Sequence, residues 1–141
     1  YPGCVAMLDR LAAEGCRIAV VTNKFERFAH ALLERIGLLD RFATVIGGDT
    51  MGPGCSKPQP DPIREMIARC GGGSAAFVGD TTIDVGAAQA AGIPCVAVDF
   101  GLNDKPAHEL GADRVIGHFD ELVPTLRGFG TAPVASRPAA G

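Results

Sequence analysis

Several things are missing from this 141-residue sequence, and each absence narrows what it can do. Its five cysteines (Cys4, Cys16, Cys55, Cys70 and Cys95) form no CxxC pair, and their number is odd. That argues against a disulfide framework or a zinc site, and for small buried thiols in a reducing, cytoplasmic compartment. His30, His108 and His118 share no ligand spacing. No stretch concentrates Lys and Arg, and the net charge is −3, so a nucleic-acid partner is not expected. No apolar run approaches the roughly 18 residues that a membrane span needs. No signal peptide is visible, and there is no initiator Met. The abrupt opening at "YPG" leaves processing, a fragment or a missing upstream segment open.

What is present is the composition of one globular domain: 47% hydrophobic and 21% charged residues, with 19 Gly and 10 Pro to build short connections. Helical and buried-strand periods alternate along it. "PGCVAMLDRLAAEG" carries a helical stripe at Val5, Leu8, Leu11 and Ala12, closed by Gly15. "RIAVVT" (17–22) is a continuous apolar run, as a doubly covered parallel strand requires. "KFERFAHALLERIG" reads as a helix with Phe25, Phe28, Leu32, Leu33 and Ile36 on one side. "ATVIGG" (43–48) is a short strand, and "DTMGPGCSKPQP" a loop. In "DPIREMIARC" Asp61 can cap a helix and Pro62 suits its first turn.

"AFVG" (76–79) is a strand and "TIDVGAAQAAG" a helix. "PCVAVDF" is a strand, "KPAHELG" a short helix and "DRVIG" a last short strand. "FDELVPTLRGF" is a weak final helix interrupted by Pro124. The expected division is therefore an α/β core over 1–129 and a disordered tail over 130–141. Such alternation implies a parallel sheet with helices on both faces, and ligands bind such sheets at the carboxyl ends of the strands.

Three of those strand-end regions carry polar groups. The first ends in Thr22-Asn23-Lys24. There a hydroxyl and the free N–H groups of the next helix can hold a phosphoryl oxygen, although Thr and Asn are also ordinary caps. In the loop after the second, Pro58 restricts Ser56-Lys57 and can aim the Lys57 ammonium, which is otherwise a solvated charge. The third ends in Asp80, with Asp84 one helical turn on. These two carboxylates are either capping groups or part of a hard-cation site of the kind Mg²⁺ uses.

The order of these motifs resembles the haloacid dehalogenase superfamily, and within it the phosphoglycolate phosphatase group. "AVVTNK" (19–24) matches that family's second motif, "SKPQPDP" (56–62) its third and "FVGDTTIDVGAAQAAG" (77–92) its fourth, over about Tyr1 to Val123. The resemblance implies a three-layer Rossmann-like core and Mg²⁺-dependent hydrolysis of a small phosphorylated metabolite through an aspartyl-phosphate. It implies Thr22, Asn23 and Lys24 on the phosphate and Lys57 in catalysis. It also implies Asp80 on the metal, with Asp84 either supporting the metal's waters or holding Lys57.

The family's first motif is Asp-x-Asp on a central strand, and this sequence has no Asp-x-Asp. The expectation is a core without that strand or the cap domain that follows it, and with no nameable nucleophile. It should then either rearrange or swap strands into a homo-oligomer through exposed sheet edges. Two other functions stay open. One is a catalytically inert core that binds phosphate or Mg²⁺ or serves as an interaction module. The other is an unrelated receiver-like domain, against which stands the order of lysine before acids.

Overall fold

Continuous apolar runs become the strands. The computed structural model describes residues 3–129 and the backbone of 134–136. β1 (Ile18–Val21), β3 (Ala75–Gly79) and β4 (Cys95–Val98) are buried at every position, while β2 (Thr44–Ile46) and β5 (Arg114–Ile116) are shorter and partly open. A sixth strand, β6 (Val134–Ser136), comes from the segment expected to be a disordered tail; the rest of 130–141 lies outside the described residues. All pairings are parallel, in the order β2-β1-β6-β3-β4-β5.

Period two sorts the strand residues onto two faces. Ile18, Ala76, Val78, Val96 and Val98 meet α1 (Cys4–Ala13) and α5 (Leu122–Arg127). Val20 and Val45 meet Ala29 and Leu33 of α2 (Glu26–Arg35). On the other face Ala19, Val21, Phe77 and Ala97 meet α3 (Asp61–Arg69) and α4 (Thr82–Ala91). The sheet is thus covered on both sides, which is why its strands read as unbroken apolar runs.

The helices differ from expectation in phase more than in place. α1 buries Cys4, Met7, Leu8 and Leu11 and leaves Val5 exposed. α2 buries only Ala29 and Leu33; Phe25, Phe28, Leu32 and Ile36 form its exposed side. Small Ala29 lets α2 lie close to the sheet, and the bulkier stripe faces outward. Asp61 is the first helical residue of α3 and Pro60 occupies its cap position. Pro124 does not interrupt α5. It sits in the first turn, where the missing N–H has no intrahelical partner to lose. The short helix expected in "KPAHELG" is a 3-10 turn over Ala107–Glu109.

The topology decides where a ligand would sit. From β1 the chain steps outward to β2, then α3 returns it across the sheet to β3, and β4 and β5 step outward the other way. The direction reverses between β1 and β3, and the crevice at such a reversal is where open α/β sheets bind ligands. This is the slot in which a strand was expected to be missing. β6 fills part of it: Ile18 and Ala19 pair with Ala135 and Ser136, and Ala75–Phe77 pair with Val134–Ser136. Among the described residues this pairing stops there, short of Val20–Val21 and Val78–Gly79.

Candidate functional site

The polar strand ends meet around that crevice. Thr22 follows β1 directly and is buried; its backbone N–H continues the ladder to Ile46. Its Oγ1 accepts the Lys24 backbone N–H at 3.2 Å. The Lys24 amide is therefore held by the threonine rather than left open to a ligand. Asn23 is exposed, and its Nδ2 donates to the backbone oxygen of Lys57 at 2.9 Å. This bond ties the β1 end to the loop that carries the lysine.

Lys57 is no solvated loop lysine. Its side chain is 4% exposed, and Nζ donates to Asp84 Oδ1 at 2.5 Å, with Asp84 also 4% exposed. The ammonium also lies 5.2 Å from the centre of the Phe77 ring, whose negative face favours a cation. Removing two charges from water costs several kcal/mol each, so a buried pair persists only when its remaining groups are satisfied. The other Asp84 oxygen meets that condition. Oδ2 accepts the Asp80 N–H at 3.0 Å, the Thr81 N–H at 3.2 Å and the Thr81 hydroxyl at 3.2 Å.

Thr81 in turn caps α4 by accepting the Asp84 N–H at 3.3 Å, which completes a capping box. Capping, which the residues themselves allow, and holding Lys57, which the family resemblance implies, are both done by this one carboxylate. Gly79 makes the arrangement possible: a Cβ there would lie 2.4 Å from the Asp84 Cβ.

Asp80 is half-buried at the mouth. Burial pushes its carboxyl above the usual range; the neighbouring Asp84 charge adds to this, while the Leu102 amide and the Lys57 charge oppose it. Its Oδ2 accepts the Leu102 N–H at 2.8 Å. A carboxylate that is costly to ionise beside a second carboxylate gains from a hard cation. Among the described residues no group of three acidic, histidine or cysteine side chains could cage one. With Asp84 committed to Lys57, Asp80 is the remaining carboxylate of the pair. That donor set fits Mg²⁺, which takes one or two carboxylates and completes its shell with water and phosphate oxygens.

Two contributors are absent from the sequence reading. The loop 99–104 after β4 grips Asp80 and Thr82 through Leu102, Asn103 and Asp104. The end of β2 braces the start of α2: Asp49 accepts the Glu26 N–H at 2.8 Å, and Thr50 Oγ1 donates to Glu26 at 3.1 Å. The turn-forming residues "FGLND" and "GGDT" at two further strand ends were the available signal. They carry no lysine or paired acids, and so did not stand out.

Comparisons with known proteins bear on the family and the fold. The profile of the haloacid dehalogenase-like hydrolases matches residues 1–98. A phosphoglycolate phosphatase of Rhodospirillum rubrum is 44% identical over 124 residues, covering 86% of this chain and 51% of the relative. One from Mesorhizobium japonicum is 41% identical over 128 residues, covering 89% and 56%. The chain thus spans about half the length of the curated relatives it matches. Among solved structures, a predicted phosphoglycolate phosphatase from Haemophilus somnus superposes with a TM-score of 0.82 at 29% identity, covering 89% of this chain and 56% of that one. A predicted phosphatase from Clostridium acetobutylicum gives 0.79 at 27% identity, covering 91% and 60%. On the match of family profile, sequence and fold together, the chain belongs to the haloacid dehalogenase-like hydrolases.

Proposed function

We propose that this chain carries the phosphate-holding and metal-holding side of a Mg²⁺-dependent phosphomonoester hydrolase. Its substrate is a small phosphorylated metabolite, with 2-phosphoglycolate the first candidate from the names of its relatives. The observation that carries this reading is the buried Lys57–Asp84 pair, set between Asn23 at the end of β1 and Asp80 at the end of β3. Among the described residues the Lys57 ammonium donates one hydrogen bond, to Asp84, so two N–H groups remain for phosphoryl oxygens. Thr22 offers its hydroxyl proton, and Asn23 its backbone N–H. Asp80 would hold the metal, which when bound would neutralise charge on the phosphoryl oxygens.

Hydrolysis through an aspartyl-phosphate also needs an aspartate beside the phosphorus, and the sequence contains no Asp-x-Asp to supply it. β6 in the slot between β1 and β3 favours a second reading: a core that binds phosphate or Mg²⁺ without turning over. Hydrolysis of p-nitrophenyl phosphate with Mg²⁺ separates the two. Turnover lost on adding EDTA and in Asp80→Asn supports the enzyme. Absence of turnover, with phosphate or Mg²⁺ still raising the melting temperature, supports the binding core.

The slot also fits the same strand from a second copy of the chain, which makes a strand-swapped homo-oligomer the proposed assembly. Analytical ultracentrifugation showing only monomer, with ordinary cooperative unfolding, contradicts the swap. No described helix is long and apolar enough to cross a membrane. Five free cysteines, three of them buried, support a reducing cytoplasmic setting.

A further inference from the structure

We infer that the loop after β4 is a positioning device for Asp80, with Gly101 and Asn103 as its working residues. The inference rests on the reading of Asp80 as a cation ligand. Three loop residues define the device through five hydrogen bonds. The Leu102 N–H takes Asp80 Oδ2 at 2.8 Å. Asn103 Nδ2 donates both to the Asp80 backbone oxygen, at 2.7 Å, and to the Val98 backbone oxygen, at 3.0 Å. Asp104 accepts the Thr82 N–H at 2.9 Å and the Thr82 hydroxyl at 2.5 Å. The residue bearing the carboxylate is thus held at its side chain and its carbonyl, and the chain two residues on is held as well. Gly101 lets the loop come this close, because a Cβ there would lie 2.6 Å from both Cβ and Oδ2 of Asp80.

Such a brace is needed because of what surrounds Asp80. Asp84 from the helix that follows lies beside it, a second carboxyl group within hydrogen-bond reach, so the position of the Asp80 side chain is not set by a favourable charge partner. The Leu102 amide fixes one oxygen. With Oδ2 taken by Leu102, Oδ1 is the oxygen offered to a ligand. Asn103 joins the ends of β3 and β4, so the distance between the two strand ends sets the height of the Asp80 carbonyl. A purely structural turn would need Asp104 on Thr82 to brace α4. It would not need an amide aimed at the carboxylate or a glycine pressed against it.

The experiment is titration of the full chain with Mn²⁺ in the presence of inorganic phosphate, followed by water-proton relaxation. Asn103→Ala removes no charge, so any loss of affinity reports geometry. Groups that orient a ligand typically change metal affinity by about tenfold or more. Asn103→Ala and Gly101→Ala are each expected to weaken Mn²⁺ by that factor. Gln89→Ala should leave it unchanged, because Gln89 bonds the Gly111 carbonyl at the far end of the same helix. Wild-type Mn²⁺ affinity in both Asn103→Ala and Gly101→Ala overturns the inference.

If the wild type itself fails to bind Mn²⁺, the cation-ligand reading of Asp80 falls. The bracing is then judged by hydrogen exchange of the Leu102 amide. Faster exchange in Asn103→Ala but not in Gln89→Ala upholds it, and unchanged exchange overturns it.

Discussion

The ends of β1 and β3 face each other across the same crevice and are built in opposite ways. The β3 end is charged and heavily braced. Asp84 receives Lys57 on one oxygen and three donors on the other, and a loop from β4 holds Asp80. The β1 end has no buried charge, since Thr22 and Asn23 are uncharged and Lys24 is partly exposed; its side-chain bonds are one from the Lys24 amide to Thr22 and one from Asn23 to the lysine loop, beside backbone bonds to Ile46 and from Gly48. A buried charge left without partners costs far more than a buried hydroxyl, so the charged side must be closed by design. The side without a buried charge can keep open donors, and open donors are what a phosphoryl group requires.

The largest test of that contrast is Asp84→Ala. It leaves the Lys57 ammonium buried and unpaired, and a loss of about 3–5 kcal/mol is expected in urea unfolding. Thr22→Val, at a site equally buried, removes a hydrogen bond worth about 1 kcal/mol. Equal losses in the two variants would break the comparison. Next in size is Gly79→Ala, which drives a methyl group into Asp84 and should cost about 1–3 kcal/mol. Gly86→Ala meets only Pro58 at 3.6 Å, inside a helix, and should be neutral or gain up to about 1 kcal/mol. A thermal-melt ranking that reverses this pair would place the crowding elsewhere.

The smallest effect is electrostatic. Burial raises the folded-state pKa of Asp80 above its unfolded value, so the folded chain binds more protons in the window between the two. Stability falls as pH rises through that window, and the penalty persists above it. Asp80→Asn should therefore give a small rise in melting temperature at neutral pH without metal, and none below the unfolded pKa. A fall at neutral pH would show that the ionised carboxylate stabilises the apo fold.

The sequence made most of the sheet legible because doubly covered strands cannot hide: "IAVV", "AAFVG" and "CVAV" are apolar throughout. It was less informative about α2. Phe25, Phe28, Leu32 and Ile36 form a stripe as regular as any core face, yet they are exposed, and periodicity alone does not say which side faces the sheet. β6 could not be read either. "VAS" between prolines has no strand signature of its own, and its place depends on the vacancy between β1 and β3.

At the site, Thr22, Lys57, Asp80 and Asp84 stood out because their order carries information. Asn103 and Gly101 did not, because their roles are to touch Asp80 from the loop after β4, with Asn103 separated from it by 23 positions in sequence. That the Lys57 chain segment approaches Asp84 is likewise a tertiary fact, separated by 27 positions.

The most direct test of the account is the melting temperature of the full chain with inorganic phosphate and Mg²⁺ added together, in the wild type, Asp80→Asn and Thr22→Val. The account predicts a rise in the wild type that is lost in Asp80→Asn and reduced in Thr22→Val, since the two strand ends hold one ligand between them. An equal rise in all three proteins would contradict it, because the ions would then be binding somewhere other than the crevice between β1 and β3.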